Sequence, residues 1–154
     1  MTQHKNLLLN NQLCFSLYAA TNSIIRYYRI YLNEIGITYT QYLVLLVLWE
    51  QQSCNIKKIA EILKLDSPTI TPIVQKLEKM NLVNRVRNEA DERVVTVLLT
   101  KDGIDLEAQV ADIQNKVACK THLKTKEFNE LKGTLNKLAD TMSEKEKKLD
   151  SLLK

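Results

Sequence analysis

The most reactive side chains in this sequence are three cysteines, at positions 14, 54 and 119. They are odd in number and widely spaced, with no CxxC pair, which argues against a disulfide framework. With only His4 and His122 beside them, neither a metal site nor a cofactor is expected. Cys14 has the surroundings that favour reactivity. A helix beginning near Asn10 or Asn11 puts it in or just after the first turn, where the positive end of the helix dipole favours a thiolate. Tyr18 follows one turn later on the same face, and a phenolic O–H can donate to that thiolate. A peroxide would convert such a thiolate to a sulfenic acid. From the residues alone, the plainer reading of Cys14 is a small buried hydrophobe with core or interface tyrosines around it. Cys54, just after the second helix, reads as passive.

Cys14 needs a helix to sit on. Leu13, Leu17, Ala20, Ile24 and Tyr28 recur every three or four residues, the pattern of an amphipathic helix over about 11–33, closed by Gly36. Thr40 is expected to cap a second helix over 41–50. Its apolar run YLVLLVLW is too continuous for a surface helix and implies burial. Only three Gly and two Pro occur in 154 residues, so tight turns are few and the fold is expected to be mainly α. A content of 26% charged and 45% hydrophobic residues suits a single globular domain over 1–154.

The middle of the chain reads as helix, tight turn, helix: IKKIAEIL, then Lys64-Leu65-Asp66, then SPTITPIVQKLEKMN. Ser67 or Thr69 is expected to cap the second of these helices. Pro68 suits a first helical position, and Pro72 is tolerable only within the first turn. LVNRVR and RVVTVLLT then flank a polar tip at 88–92, and their alternating β-branched pattern predicts a β-hairpin. Together these segments predict a winged helix-turn-helix over 53–101. Two further helices are expected over 104–120 and 126–149, where the stripe Leu131, Leu135, Leu138 and Met142 needs a partner surface.

Charge agrees with a nucleic-acid partner. The net charge of +4 is modest, but residues 57–87 carry seven basic against three acidic side chains, whereas from Asp102 onward ten of each cancel. In a major groove about 12 Å wide, Ser67, Thr69, Thr71, Gln75 and Lys76 would reach base edges or phosphates. Arg93, beside Asp91, is the candidate for a wing entering the minor groove. Arg85 and Arg87 would contact phosphate, or are ordinary solvated strand residues. No stretch approaches the roughly 18 apolar residues of a membrane span, and MTQHKNLLLNNQL lacks the marks of a signal peptide, so no membrane contact and a cytoplasmic location are expected.

The stretch LVNRVRNEADERVVTVLLTKDG, with its DxR and LTxxG elements, resembles the wing and following turn of the MarR family of bacterial regulators. The resemblance implies a homodimer joined by helices in 1–35 and 104–154. NQLCFSLYAATNSIIRYY and GITYTQYLVLLVLWE further resemble the organic-hydroperoxide-sensing, OhrR-type branch. That branch implies that peroxide oxidises Cys14 and that Tyr18, Tyr28 and Tyr39 hydrogen-bond it. It also implies that Cys119, where the two-cysteine subclass carries its resolving thiol, forms a disulfide with Cys14 of the other subunit. A passive Cys119, with Cys14 capped by a low-molecular-weight thiol, stays open. The expected function is a repressor, not an enzyme, that leaves double-stranded operator DNA when organic hydroperoxide is the signal. Two alternatives stand beside it. One is a MarR-type repressor gated by a small aromatic ligand; the other is a thiol peroxidase, for which nothing obvious supplies a reductase site.

Overall fold

The computed structural model describes residues 4–87 and 94–152, with side chains to residue 146. Among these residues six helices and one small antiparallel sheet follow the order α1 (Leu13–Glu34), α2 (Tyr39–Gln51), β1 (Ser53–Asn55), α3 (Ile56–Leu63), α4 (Ser67–Lys79), β2 (Val83–Arg87), β3 (Val95–Leu99), α5 (Lys101–Lys120) and α6 (Thr125–Leu152). The fold is mainly α with a β-hairpin wing, and α3, α4 and the sheet all fall within 53–101. The predicted tip at 88–92, together with Asp91 and Arg93, lies outside the described residues.

Several helix starts differ from expectation, each for a local reason. Two short 3-10 turns, Lys5–Leu7 and Leu9–Asn11, precede α1, and Gln12 is extended, so the helix begins at Leu13. Thr38 caps α2 in place of Thr40. It accepts the Gln41 amide on its hydroxyl, while its own amide donates to Gln41 Oε1 at 2.7 Å, a reciprocal capping box. At α4 the cap is Asp66, not Ser67 or Thr69, with the Thr69 amide donating to Asp66 Oδ1 at 2.8 Å. Pro68 is then the second helical residue, and Pro72 lies beyond the first turn. Pro72 has no N–H for the Pro68 carbonyl, but both prolines sit on the exposed side, where water can serve that carbonyl.

The sheet contains one strand that the sequence pattern did not predict. β1, only three residues long, pairs antiparallel with β3, placing Cys54 opposite Val97, and β3 pairs on its other side with β2 from Val83↔Leu99 to Arg87↔Val95. α5 begins at Lys101 and takes in Gly103, which was expected to precede it. A Cβ at Gly103 would run into the Leu82 carbonyl oxygen, so the first turn of α5 can lie on the end of the wing only because this residue is glycine. The Trp49 indole N–H donates to the Gly103 carbonyl at 2.9 Å and ties α2 to the same turn.

Residues 1–117 form one compact unit and 118–154 a second. The core of the first is built around α2, whose Val44, Leu45 and Leu48 are fully enclosed together with Leu32, Ile37, Ile59, Ile70, Leu77, Val83 and Val97. Burying each such side chain contributes roughly 1.5–3 kcal/mol. In the second unit, α6 leaves Phe128, Leu131, Leu135 and Met142 exposed. No helix among the described residues is long and apolar enough to cross a membrane.

Candidate functional site

Cys14 is the second residue of α1, and its thiol is exposed. Its sulfur lies 4.0 Å from Gln12 Oε1, a contact within its own turn. Tyr18, one turn on, is 67% exposed. Tyr28 and Tyr39 lie elsewhere, in a three-ring cluster that also holds Tyr42. The Tyr28 ring stacks on Tyr42 with centroids 5.1 Å apart, Tyr39 tilts against both at 5.2 and 5.7 Å, and the Tyr28 and Tyr42 hydroxyls are 3.5 Å apart. The fourteen residues from Cys14 to Tyr28 correspond to about 21 Å of helix rise, so a single chain does not bring the thiol to its own cluster.

Burial dominates the electrostatics of these phenols. It raises Tyr39, with the neighbouring Tyr28 adding to the shift, and raises Tyr42 further, where the hydrogen bond with Tyr28 and the nearby phenols act in the same direction. Both hydroxyls therefore keep their protons and remain hydrogen-bond donors. Tyr42 was absorbed into the apolar run of α2 in the sequence; its spacing of three from Tyr39, one helical turn, is the signal that would have marked it.

The other thiols differ. Cys54, in β1 beside β3, is buried, and burial pushes its thiol up, outweighing the opposing pull of Lys58, so it stays protonated and unreactive. Cys119, the penultimate residue of α5, is exposed. Among the described residues no cluster of His, Cys, Asp and Glu could hold a metal.

The candidate nucleic-acid face is the front of α4. Thr69, Gln75 and Lys76 are exposed, while Ser67 and Thr71 are half-buried. Thr71 donates its hydroxyl back to the Ser67 carbonyl at 2.9 Å, leaving its oxygen as an acceptor only. Arg87 is exposed at the end of β2. Arg85 is not free. Its Nε and Nη2 each donate to Glu78 Oε2 at 2.7 Å, and its amide donates to Glu78 Oε1 at 3.2 Å, fastening the last turns of α4 to β2. Both partners of this clamp belong to the charged segment 57–87 and stand seven positions apart, but only the turn between helix and strand brings them together.

Comparison with known proteins agrees with this geometry. The family model for the transcriptional regulators SarA and Rot matches residues 26–113. The organic hydroperoxide resistance transcriptional regulator of Bacillus subtilis is 39% identical over 91% of this chain and 95% of its own length. Among solved structures, reduced AbfR bound to DNA superposes with a TM-score of 0.76 at 34% identity, covering 93% of this chain and 98% of that one. A disulfide-formed AbfR superposes with a TM-score of 0.63 at 35% identity, covering 88% and 90%. These relatives are regulators, not enzymes. The helix pair, the wing and the near-complete match to such relatives together show that the chain belongs to the MarR/SarA family of winged-helix transcriptional regulators, alongside the organic hydroperoxide resistance regulators.

Proposed function

We propose that this chain is a homodimeric repressor that holds operator DNA through α4 and the wing, and releases it when an organic hydroperoxide oxidises Cys14. One observation carries the reading: an exposed thiol at the second position of α1, in a chain 39% identical to an organic hydroperoxide resistance regulator. The thiolate attacks the terminal peroxide oxygen and the O–O bond breaks. An alkoxide leaves, takes up a proton as the alcohol, and Cys14 becomes a sulfenic acid. Tyr18 is one donor to the thiolate, and Tyr28 and Tyr39 of the second subunit are the others. The rise along α1 supports a contribution from the second chain, and the protonated state of the buried phenols suits the role.

The sulfenic acid then condenses with the Cys119 thiol of the second subunit, forming a disulfide and releasing water. The disulfide-formed state of AbfR supports such an end point. On DNA, Ser67, Thr69, Thr71, Gln75 and Lys76 face the major groove, Arg87 lies toward phosphate while Arg85 stays clamped on Glu78, and Asp91 and Arg93 serve the wing in the minor groove. Two α4 helices bind together only when spaced to match successive major grooves, about 34 Å apart, and the new covalent bond favours a different spacing. Such a regulator works in the cytoplasm.

The test is DNA binding by reduced wild type and by Cys14→Ser, each titrated with cumene hydroperoxide and then dithiothreitol. Reversible release by wild type alone is expected; release that survives Cys14→Ser sinks the peroxide reading. On non-reducing gels the oxidised wild type should run as a linked dimer. Persistence of that band in Cys119→Ser rejects the pairing.

A further inference from the structure

We infer that the groove between α2 and α5 receives the leucine-bearing segment 5–13 of a second copy of this chain. The inference rests on the reading above, in which Cys14 meets the tyrosines of the other subunit.

Among the described residues two apolar surfaces are exposed. The run 42–49 of α2 is apolar on every side, yet its Leu46 is 40% exposed and lines a groove of about 500 Å³ together with Tyr42, Trp49, Val110 and Ala111. A helix of that composition calls for cover on every side. The second surface is the segment before α1, where Leu7, Leu9 and Leu13 are 64%, 57% and 63% exposed. The segment is already folded for docking. The Asn11 side-chain amide donates to the Lys5 carbonyl at 2.8 Å and the Gln12 side-chain amide donates to the Asn6 carbonyl, closing 5–12 into a hook and lowering the ordering cost of association.

Position and charge select the second copy as occupant. Tyr42 belongs to both the tyrosine cluster and the groove, so a thiol placed at the cluster brings its hook to the mouth of the groove. From Tyr42 to Trp49 along α2 is about 10 Å, and from Cys14 back to Leu9 at 3-10 rise is also about 10 Å. The leucines therefore fall over Leu46 and Trp49. Glu50 and Glu107 line the groove, and the hook brings Lys5. The hook of one subunit thus fixes where its Cys14 sits against the other.

Trp49 is the sole tryptophan and reports on the groove. In wild type its fluorescence should be shielded from acrylamide, with the quenching constant rising about two-fold in Leu7→Ser/Leu9→Ser while sedimentation still shows a dimer. A Leu9→Cys/Leu46→Cys variant in a Cys14→Ser, Cys119→Ser background should give a linked dimer with a short bismaleimide, which neither single variant gives. Unchanged quenching, or no linked dimer in a protein that sediments as a dimer, overturns the docking and leaves the peroxide reading to its own DNA-release test. Benzoate quenching Trp49 equally in wild type and the leucine variant overturns it too, making the groove a small-ligand site. A monomeric wild type overturns both.

Discussion

At the head of α4, Asp66 accepts hydrogen bonds from Thr69, and these hold its carboxyl below its ordinary value of 3.8. The negative charge also faces the positive end of the helix. A carboxyl more acidic folded than unfolded contributes stability that is complete above the unfolded value and is lost as the pH falls through the lower folded one. Asp66→Asn keeps a capping oxygen but removes the charge. It should therefore have a lower urea midpoint than wild type at neutral pH, and the two should converge as the pH drops below 3.8. A gap that stays constant into acid would mean that the charge contributes nothing. The same residue sets the register of the candidate DNA face, since capping at Asp66 leaves Thr69, Gln75 and Lys76 outward and turns the Thr71 hydroxyl back to the backbone.

Between elements, the clamp from Glu78 to Arg85 separates two arginines that the sequence treated alike. Arg85 spends its guanidinium on Glu78, each side chain about a third exposed, whereas Arg87 is exposed. A pair this open to solvent contributes at most about 1 kcal/mol. Arg85→Ala should lower unfolding stability by roughly that amount and leave the salt dependence of DNA binding nearly unchanged; Arg87→Ala should lower the salt slope by about 1 with little effect on stability. The reverse pattern would reassign the phosphate contact to Arg85. The order of helices and hairpin was legible because periods of 3.6 and 2 persist over many residues. β1 was not, since three residues are too few to show alternation. The caps were legible in kind but not in position: Thr38 and Gln41 carry the capping-box spacing, yet Thr40 lies nearer the apolar run, and Asp66, Ser67 and Thr69 all suit a cap. Cys14 stood out by its place in a first turn, but in the proposed function the tyrosines that reach it belong to a second chain, and no spacing within one chain encodes that.

At the scale of the whole molecule, the proposed dimer needs an association surface, and α6 offers one. Phe128, Leu131, Leu135 and Met142 are exposed at spacings of three, four and seven, along one face of a long helix. A contiguous apolar face of this kind marks an association surface. If two copies bury it, the melting temperature must depend on concentration. A hundred-fold increase adds about 2.7 kcal/mol to the stability of the dimer, which amounts to a few degrees. Leu135→Glu tests the face directly, because glutamate is a good helix former and the helix should persist while association fails. The variant should sediment as a monomer where wild type is a dimer, melt independently of concentration, and lose more than ten-fold in operator affinity because each subunit then binds its half-site alone. A dimeric Leu135→Glu with wild-type affinity would move the association surface away from α6. The α2–α5 groove and its hook would then be the main contact between subunits, and the leucine variants should dissociate the dimer instead.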